Sequence, residues 1–274
     1  MSGNRLFRWL AEFRKPPPNV KGFRSAMSKV ITPRRTAAVL AVVAATTLMG
    51  TANASASLIS QDGMRIAAYQ NSLKSSTEEG AADALRDFDA LTHDKQVKFL
   101  NYAEDPENLK ALLEEVADVP ETANPAPVHQ LVNLKGGDVQ IASDSEAAFT
   151  ADAGDASGIS AAGKLHAGWW DTTYTVRQKI FGITITKLSV WVNYHTNGSK
   201  IDRVDHADCG KRNFNGAVSI GHGVPKAQLA SGNAIGQVVW EGSIIYKGFG
   251  VEIDKRQQVV ANAYGFKSGY LKNI

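Results

Sequence analysis

Over residues 75–118 apolar side chains recur at the three- and four-residue spacing of amphipathic helices. Ser75 and Ser76 are followed three residues later by Glu78 and Glu79, so two overlapping capping boxes precede the inward-facing Leu85, Phe88 and Leu91. A short helix is expected near Asp94, with Val97, Phe99 and Leu100 turned inward. Asp105-Pro106 reads as an N-cap acid with proline at the first helical position, ahead of Leu109, Leu112, Leu113 and Val116. From Lys164 onward the period changes to two. Tyr174 and Val176 open an alternation that continues through 183–186 into Leu188, Val190, Val192 and Tyr194. Asn197-Gly198 between extended runs is a strong hairpin signal. A second hairpin is expected where 238–246 turns through Gly248-Phe249-Gly250, and 259–266 supplies a last strand.

Between these regions the pattern fades. Pro120, Pro125 and Pro127 are followed by a stretch over 136–163 rich in Ala, Ser, Gly and Asp. It reads as a linker, extended at first and flexible after, with 128–134 adding an isolated strand or turn on which His129 is an exposed bystander. The expected fold class is α+β. A small acidic helical region spans 57–119, a flexible linker 120–163, and an antiparallel β-sandwich or open barrel 164–274, with no parallel sheet.

Residues 1–56 are of another kind. Arg34 and Arg35 precede an uncharged segment with an apolar centre over 37–45, followed by the small-residue sites Ala52-Asn53-Ala54 and Ala54-Ser55-Ala56. This is the build of a secretion signal cut after Ala54 or Ala56, and it falls short of the roughly 20 apolar residues of a membrane anchor. Met27 begins a signal of ordinary proportions and is the expected initiator; an intact cellular peptide covering residues 1–26 would overturn this. Thr36-Ala37-Ala38 lacks the bulky apolar pair of a twin-arginine signal, so the general secretory route is expected. The sole cysteine, Cys209, allows no internal disulfide, and no cysteine follows the cleavage site to carry a lipid.

Charge follows the same divisions. Residues 1–54 hold nine bases and one acid, 55–162 seven bases and nineteen acids, and 163–274 fourteen bases and seven acids. The acidic helices and the basic β region are therefore candidates for docking onto each other.

Candidate chemistry concentrates over 202–210, where Asp202, Asp205, His206, Asp208 and Cys209 fall close together. Neither calcium nor zinc spacing is matched, so a polar strand end is the expected reading and no metal site or cofactor is assigned. Cys209 with His195, His206 or His222 would make a thiol nucleophile only if the fold brought the pair together. Gly221-His222-Gly223-Val224-Pro225 has turn chemistry. Trp191 and Trp240 lie in strand runs and read as packing groups. In Trp169-Trp170 neighbouring rings must face opposite ways, so one of them is a candidate surface group for an anionic membrane or cell-wall polymer. No nucleic-acid motif is present.

The run Phe88-Asp89-Ala90-Leu91, Gln96, Phe99 and Tyr102-Ala103-Glu104-Asp105-Pro106, ahead of a Trp-containing β-rich tail, resembles the large secreted, unmodified bacteriocins of the geobacillin type. That resemblance covers about a third of the chain and implies an exported antibacterial protein of bacterial origin, with no functional residue carried over. The expected function is a non-catalytic exported protein acting on a bacterial envelope. The alternatives are a secreted hydrolase using 202–209 and a structural or inhibitory module of the cell surface.

Overall fold

The structure, a computed structural model, describes residues 60–105, 107–108, 111–112, 128–150, 163–246 and 249–274, apart from the side chains of 244–253. The export signal with its cleavage after Ala54 or Ala56 lies outside the described residues, as does most of 109–127. No helix among the described residues is long and apolar enough to cross a membrane.

Three helices come first among the described residues: α1 (Gln61–Ser75), α2 (Ala81–Asp89) and α3 (His93–Glu104). Ser60 caps α1 by accepting from Gly63 N at 3.1 Å, and Thr92 caps α3 by accepting from Lys95 N at 3.4 Å. The capping boxes expected at Ser75 and Ser76 do not form, because Ser75 ends α1 and α2 starts only after Gly80, whose φ is 80°. Glu78 is instead drawn to the β region, where its carboxylate accepts from Asn213 N at 2.7 Å. Tyr69, Phe88 and Phe99 meet with ring centroids 4.8 to 5.3 Å apart.

The strands form two antiparallel sheets, and neither closes on itself. The first is a meander of β1 (His129–Leu134), β2 (Val139–Thr150), β3 (Gly168–Ile180), β4 (Ile183–Thr196) and β5 (Ile201–Asn213). The second runs β10 (Gly265–Asn273), β9 (Phe249–Asn262), β8 (Asn233–Tyr246) and β6 (Val218–His222). β7 (Lys226–Ala230) shares the edge of β8 end to end with β6. Pro225 lies in the break between these short strands, where its missing N–H costs the ladder nothing. Phe181-Gly182 supplies the tight turn between β3 and β4, with φ of 49° and 82°. Asn197 closes the next turn, its Oδ1 accepting from Ser199 N and Lys200 N at 3.0 Å each.

Two strands lie where a flexible linker was expected. β1 and β2 pair in unbroken register from His129 with Asp144 to Leu134 with Val139, and β2 continues along β3 as far as Thr150 with Trp169. Ala142, Ser143 and Ser145 are buried there although none is large. Small side chains carry almost no hydrophobic signal of their own, and the neighbouring strand provides the cover. His129, read as a bystander, sits against the Asp144 carboxylate.

Between the sheets lie Tyr174, Val176, Val190, Val192 and Tyr194 from the first and Ala234, Val238, Trp240, Val259, Ala261 and Leu271 from the second. A buried amide ties them together. Gln257 donates to the carbonyls of Tyr174 and Leu188 at 3.0 and 3.2 Å and accepts from Trp240 Nε1 at 2.7 Å. Glycine sets the spacing, since a Cβ on Gly269 would lie 2.7 Å from the Tyr174 ring and one on Gly236 2.9 Å from Val192 Cβ.

The helices share a second core with one end of the first sheet, where Phe88, Phe99, Leu100 and Ala103 meet Val139, Ile180, Ile183, Ile185 and Phe214. Each large side chain buried there contributes about 1.5–3 kcal/mol. Residues 56–274 form one compact unit, so the helices are not set apart by a linker. Ion pairs across this contact run both ways: Lys211 to Glu78 at 3.8 Å and Lys135 to Asp105 at 3.2 Å, but also Lys98 to Asp138 at 2.6 Å.

Candidate functional site

Alternation divides the first sheet into an inner, apolar face and an outer, polar one. Because Val190 and Val192 point inward, Trp191 points outward, and Trp170 and Thr172 place Trp169 and Asp171 on that same outer face. Pairing then lines up Trp169 with His195 and His195 with Arg203, and two rows further on Thr173 with Trp191 and Trp191 with Asp208. Four residues along β4 separate the two indole rows by about 14 Å.

The expectation for the tryptophan pair divides cleanly. Trp170 is buried, its Nε1 donating to His166 O at 3.0 Å and its ring edge-on to Phe149 at 5.2 Å. Trp169 is half-buried, with the Arg203 guanidinium 5.2 Å above its ring and His195 edge-on at 5.3 Å. Trp191 is also half-buried and leans over Gly210, where a Cβ would stand 3.6 Å from the indole. It is no interior packing group, in contrast to the buried Trp240.

Polar groups fill the surface between the indoles. Asp171 accepts from Asn193 Nδ2 at 2.9 Å and from Thr150 Oγ1 at 2.7 Å, and in the next row beyond Trp191 the Thr175 and Ser189 hydroxyls meet at 2.9 Å. His195 Nδ1 lies 2.7 Å from Asp202 Oδ1. That hydrogen bond is the main reason the Asp202 carboxyl is held below its usual range, and an ionised acceptor makes Nδ1 the protonated nitrogen.

The cluster 202–209 does not converge. Asp202 turns to His195, Asp205 turns to its neighbour His206 at 2.8 Å, and Asp208 lies beside Trp191 on the outer face. Cys209, opposite Val190, packs against the core instead. Its sulfur is 3.4 Å from His222 Nδ1, but that nitrogen is also 2.9 Å from the Gly223 carbonyl and must carry the proton to bond there. In the tautomer that donates to Gly223 the ring offers the thiol no base at this nitrogen. Burial, followed by the Asp208 charge, pushes the Cys209 thiol up to about 11, away from the thiolate a nucleophile needs. Among the described residues no three His, Cys, Asp or Glu side chains gather as a metal ion would require. Glycine 221 and Gly223 flank His222 at the junction of β6 with the loop to β7, and the ring is edge-on to Trp240 at 5.6 Å.

The arrangement is a polar strip on which two half-buried indoles stand about 14 Å apart, with Asn193, Thr175 and Ser189 themselves buried. The C–H faces of a sugar ring match an indole, and its hydroxyls match carboxylate, amide and hydroxyl partners. Trp191, Asp171 and Asn193 belong to this strip although no sequence motif marks them. Their parity relative to Val190, Val192 and Thr172 is the signal that places them there. No family model matches the chain, and no curated protein and no solved structure matches it either.

Proposed function

We propose that the chain is an exported, non-catalytic binding protein whose first sheet lays its outer face along a carbohydrate polymer of a bacterial envelope. The observation that carries this reading is the pair of half-buried indoles, Trp169 and Trp191, on one polar face with Asp171, Asn193, His195 and Arg203 between and around them. A polymer suits this face better than a bilayer. Arg203 covers one indole with a charge, and inserting that group into lipid is costly. A hydrolase built on 202–209 has less support, because His195 and Cys209 lie on opposite faces of the sheet. Antibacterial action, by holding or disturbing the envelope so bound, is part of the same proposal.

The test is co-sedimentation of the unit 56–274 with purified cell-wall sacculi, followed by indole fluorescence as wall fragments are added. Binding is expected, with a fluorescence change that Trp191→Ala reduces. Protein left wholly in the supernatant, or bound equally well after Trp169→Ala and Trp191→Ala, overturns the reading.

A further inference from the structure

The outer face of the first sheet ends, at the side of the helices, in a row of cations. Arg177 is in register with Lys187 and Lys187 with Arg212, and Lys179 lies two residues further along β3. Cross-strand neighbours hold their Cβ atoms about 4.5–5.5 Å apart, close enough that like charges repel. Asp144 answers one of them, its Oδ2 lying 2.6 Å from Arg177 Nη2, yet the same carboxylate also meets His129. Among the described residues Lys179, Lys187 and Arg212 have no acidic partner.

Two further details bear on how these cations are held. The Arg212 guanidinium lies flush against Gly80, where a Cβ would stand 2.6 Å from its carbon. Gly80 is the N-cap of α2 and gives the helix no side-chain cap, so the positive end of the helix faces the row, offset by Asp83 in the first turn and by Glu78, which accepts from Asn213 N at 2.7 Å. The Nε atoms of Arg177 and Arg212 are both buried without a hydrogen-bond partner. Lys187, midway between them, is half-buried and stands four residues from Trp191 on the same strand face, about 14 Å away.

We propose that this row is a phosphate subsite, holding the phosphodiester groups of a wall polymer whose sugar units lie along the Trp191 strip. The inference rests on the reading of that strip as a polymer-binding face. Phosphate fits better than carboxylate because its oxygens point in several directions and can meet separate cations at once, whereas the two coplanar oxygens of a carboxylate are filled by one guanidinium. An extended polymer fits better than a lone headgroup, since cations and indole are too far apart for one small ligand.

The experiment measures binding of the unit 56–274 to three surfaces: intact walls, the same walls stripped of phosphodiester polymer by cold hydrofluoric acid, and phosphatidylglycerol vesicles. Stripping removes the contacts of several cations at once and is expected to weaken binding about a hundredfold, the scale of two charge-assisted hydrogen bonds. Lys187→Gln should lose about tenfold on intact walls and nothing on stripped ones, Lys187→Arg should retain binding, and neither should move the thermal midpoint. Equal binding of wild type and Lys187→Gln to intact and stripped walls overturns the subsite while leaving the polymer reading in place. Loss confined to the vesicles overturns the polymer as the phosphate source. Failure of every form, wild type included, to bind either wall overturns the underlying reading itself.

Discussion

The two faces of the first sheet are built from the same strands and behave as different materials. Inward, Tyr174, Val190, Val192 and Tyr194 are closed against the second sheet at a distance set by Gly236 and Gly269. Outward, Trp169, Trp191, Asp171 and Arg177 are half-exposed and joined by side-chain hydrogen bonds, an ion pair and ring contacts. An inner side chain is held by shape, so its removal leaves a void; an outer one is held by neighbours that water can replace. Stability should therefore reside on one face and recognition on the other.

The strongest way to break that comparison is Tyr174→Ala. Tyr174 is fully buried and stacked on Phe266 at 5.9 Å, so a loss of about 3–5 kcal/mol is expected in a denaturant melt. A loss no larger than that of an outer-face variant would sink the distinction. Gly269→Ala tests the same contact from the other side. The added methyl meets the Tyr174 ring at 2.7 Å, which should cost about 1–3 kcal/mol by overpacking, measured by the same melt. Gln257→Leu should cost a similar 1–3 kcal/mol or so, because the buried Trp240 N–H loses its acceptor. Trp191→Ala is the outer-face counterpart. Its expected stability loss is about 1 kcal/mol or less, while wall binding falls, and a melt paired with co-sedimentation separates the two.

The smallest effect concerns Cys209, on the inner side of an edge strand. Its thiol is raised from the ordinary 9.0 to about 11, so alkylation by iodoacetamide should be slow at pH 8 and accelerate as pH approaches 11. The folded state holds this proton more tightly than the unfolded chain. The associated stability is thus fully present below pH 9 and is lost as pH rises through about 11. A thiol that reacts at pH 8 as fast as a free one would contradict this burial.

Docking of the helices onto the sheet is governed by the same physics as the inner face. Phe88, Phe99, Ile180 and Ile183 supply the contact, and the ion pairs around it involve side chains 28% to 53% exposed, each worth about 0–1 kcal/mol. Opposite net charges along the sequence pointed to attraction between the regions, yet of these three pairs just Lys211 with Glu78 joins the basic stretch to the acidic one, while Lys98 with Asp138 and Lys135 with Asp105 both fall within 55–162.

By itself the chain determined whatever depends on neighbours in sequence. The period-two runs from Tyr174 to Tyr194, the Asn197-Gly198 turn and the helix carrying Phe99 and Leu100 are local patterns, legible because each residue's φ/ψ preference and face depend on those beside it. Only the tertiary structure decided the strands of 129–150, whose Ala and Ser side chains are buried by β3 and not by their own hydrophobicity. It likewise scattered 202–209 among four sets of partners and brought Trp169, Trp191 and the cations of β3, β4 and β5 onto one face. Register between strands is a long-range property: a shift of one residue would exchange the two faces, and nothing local in β5 records which partner it will meet.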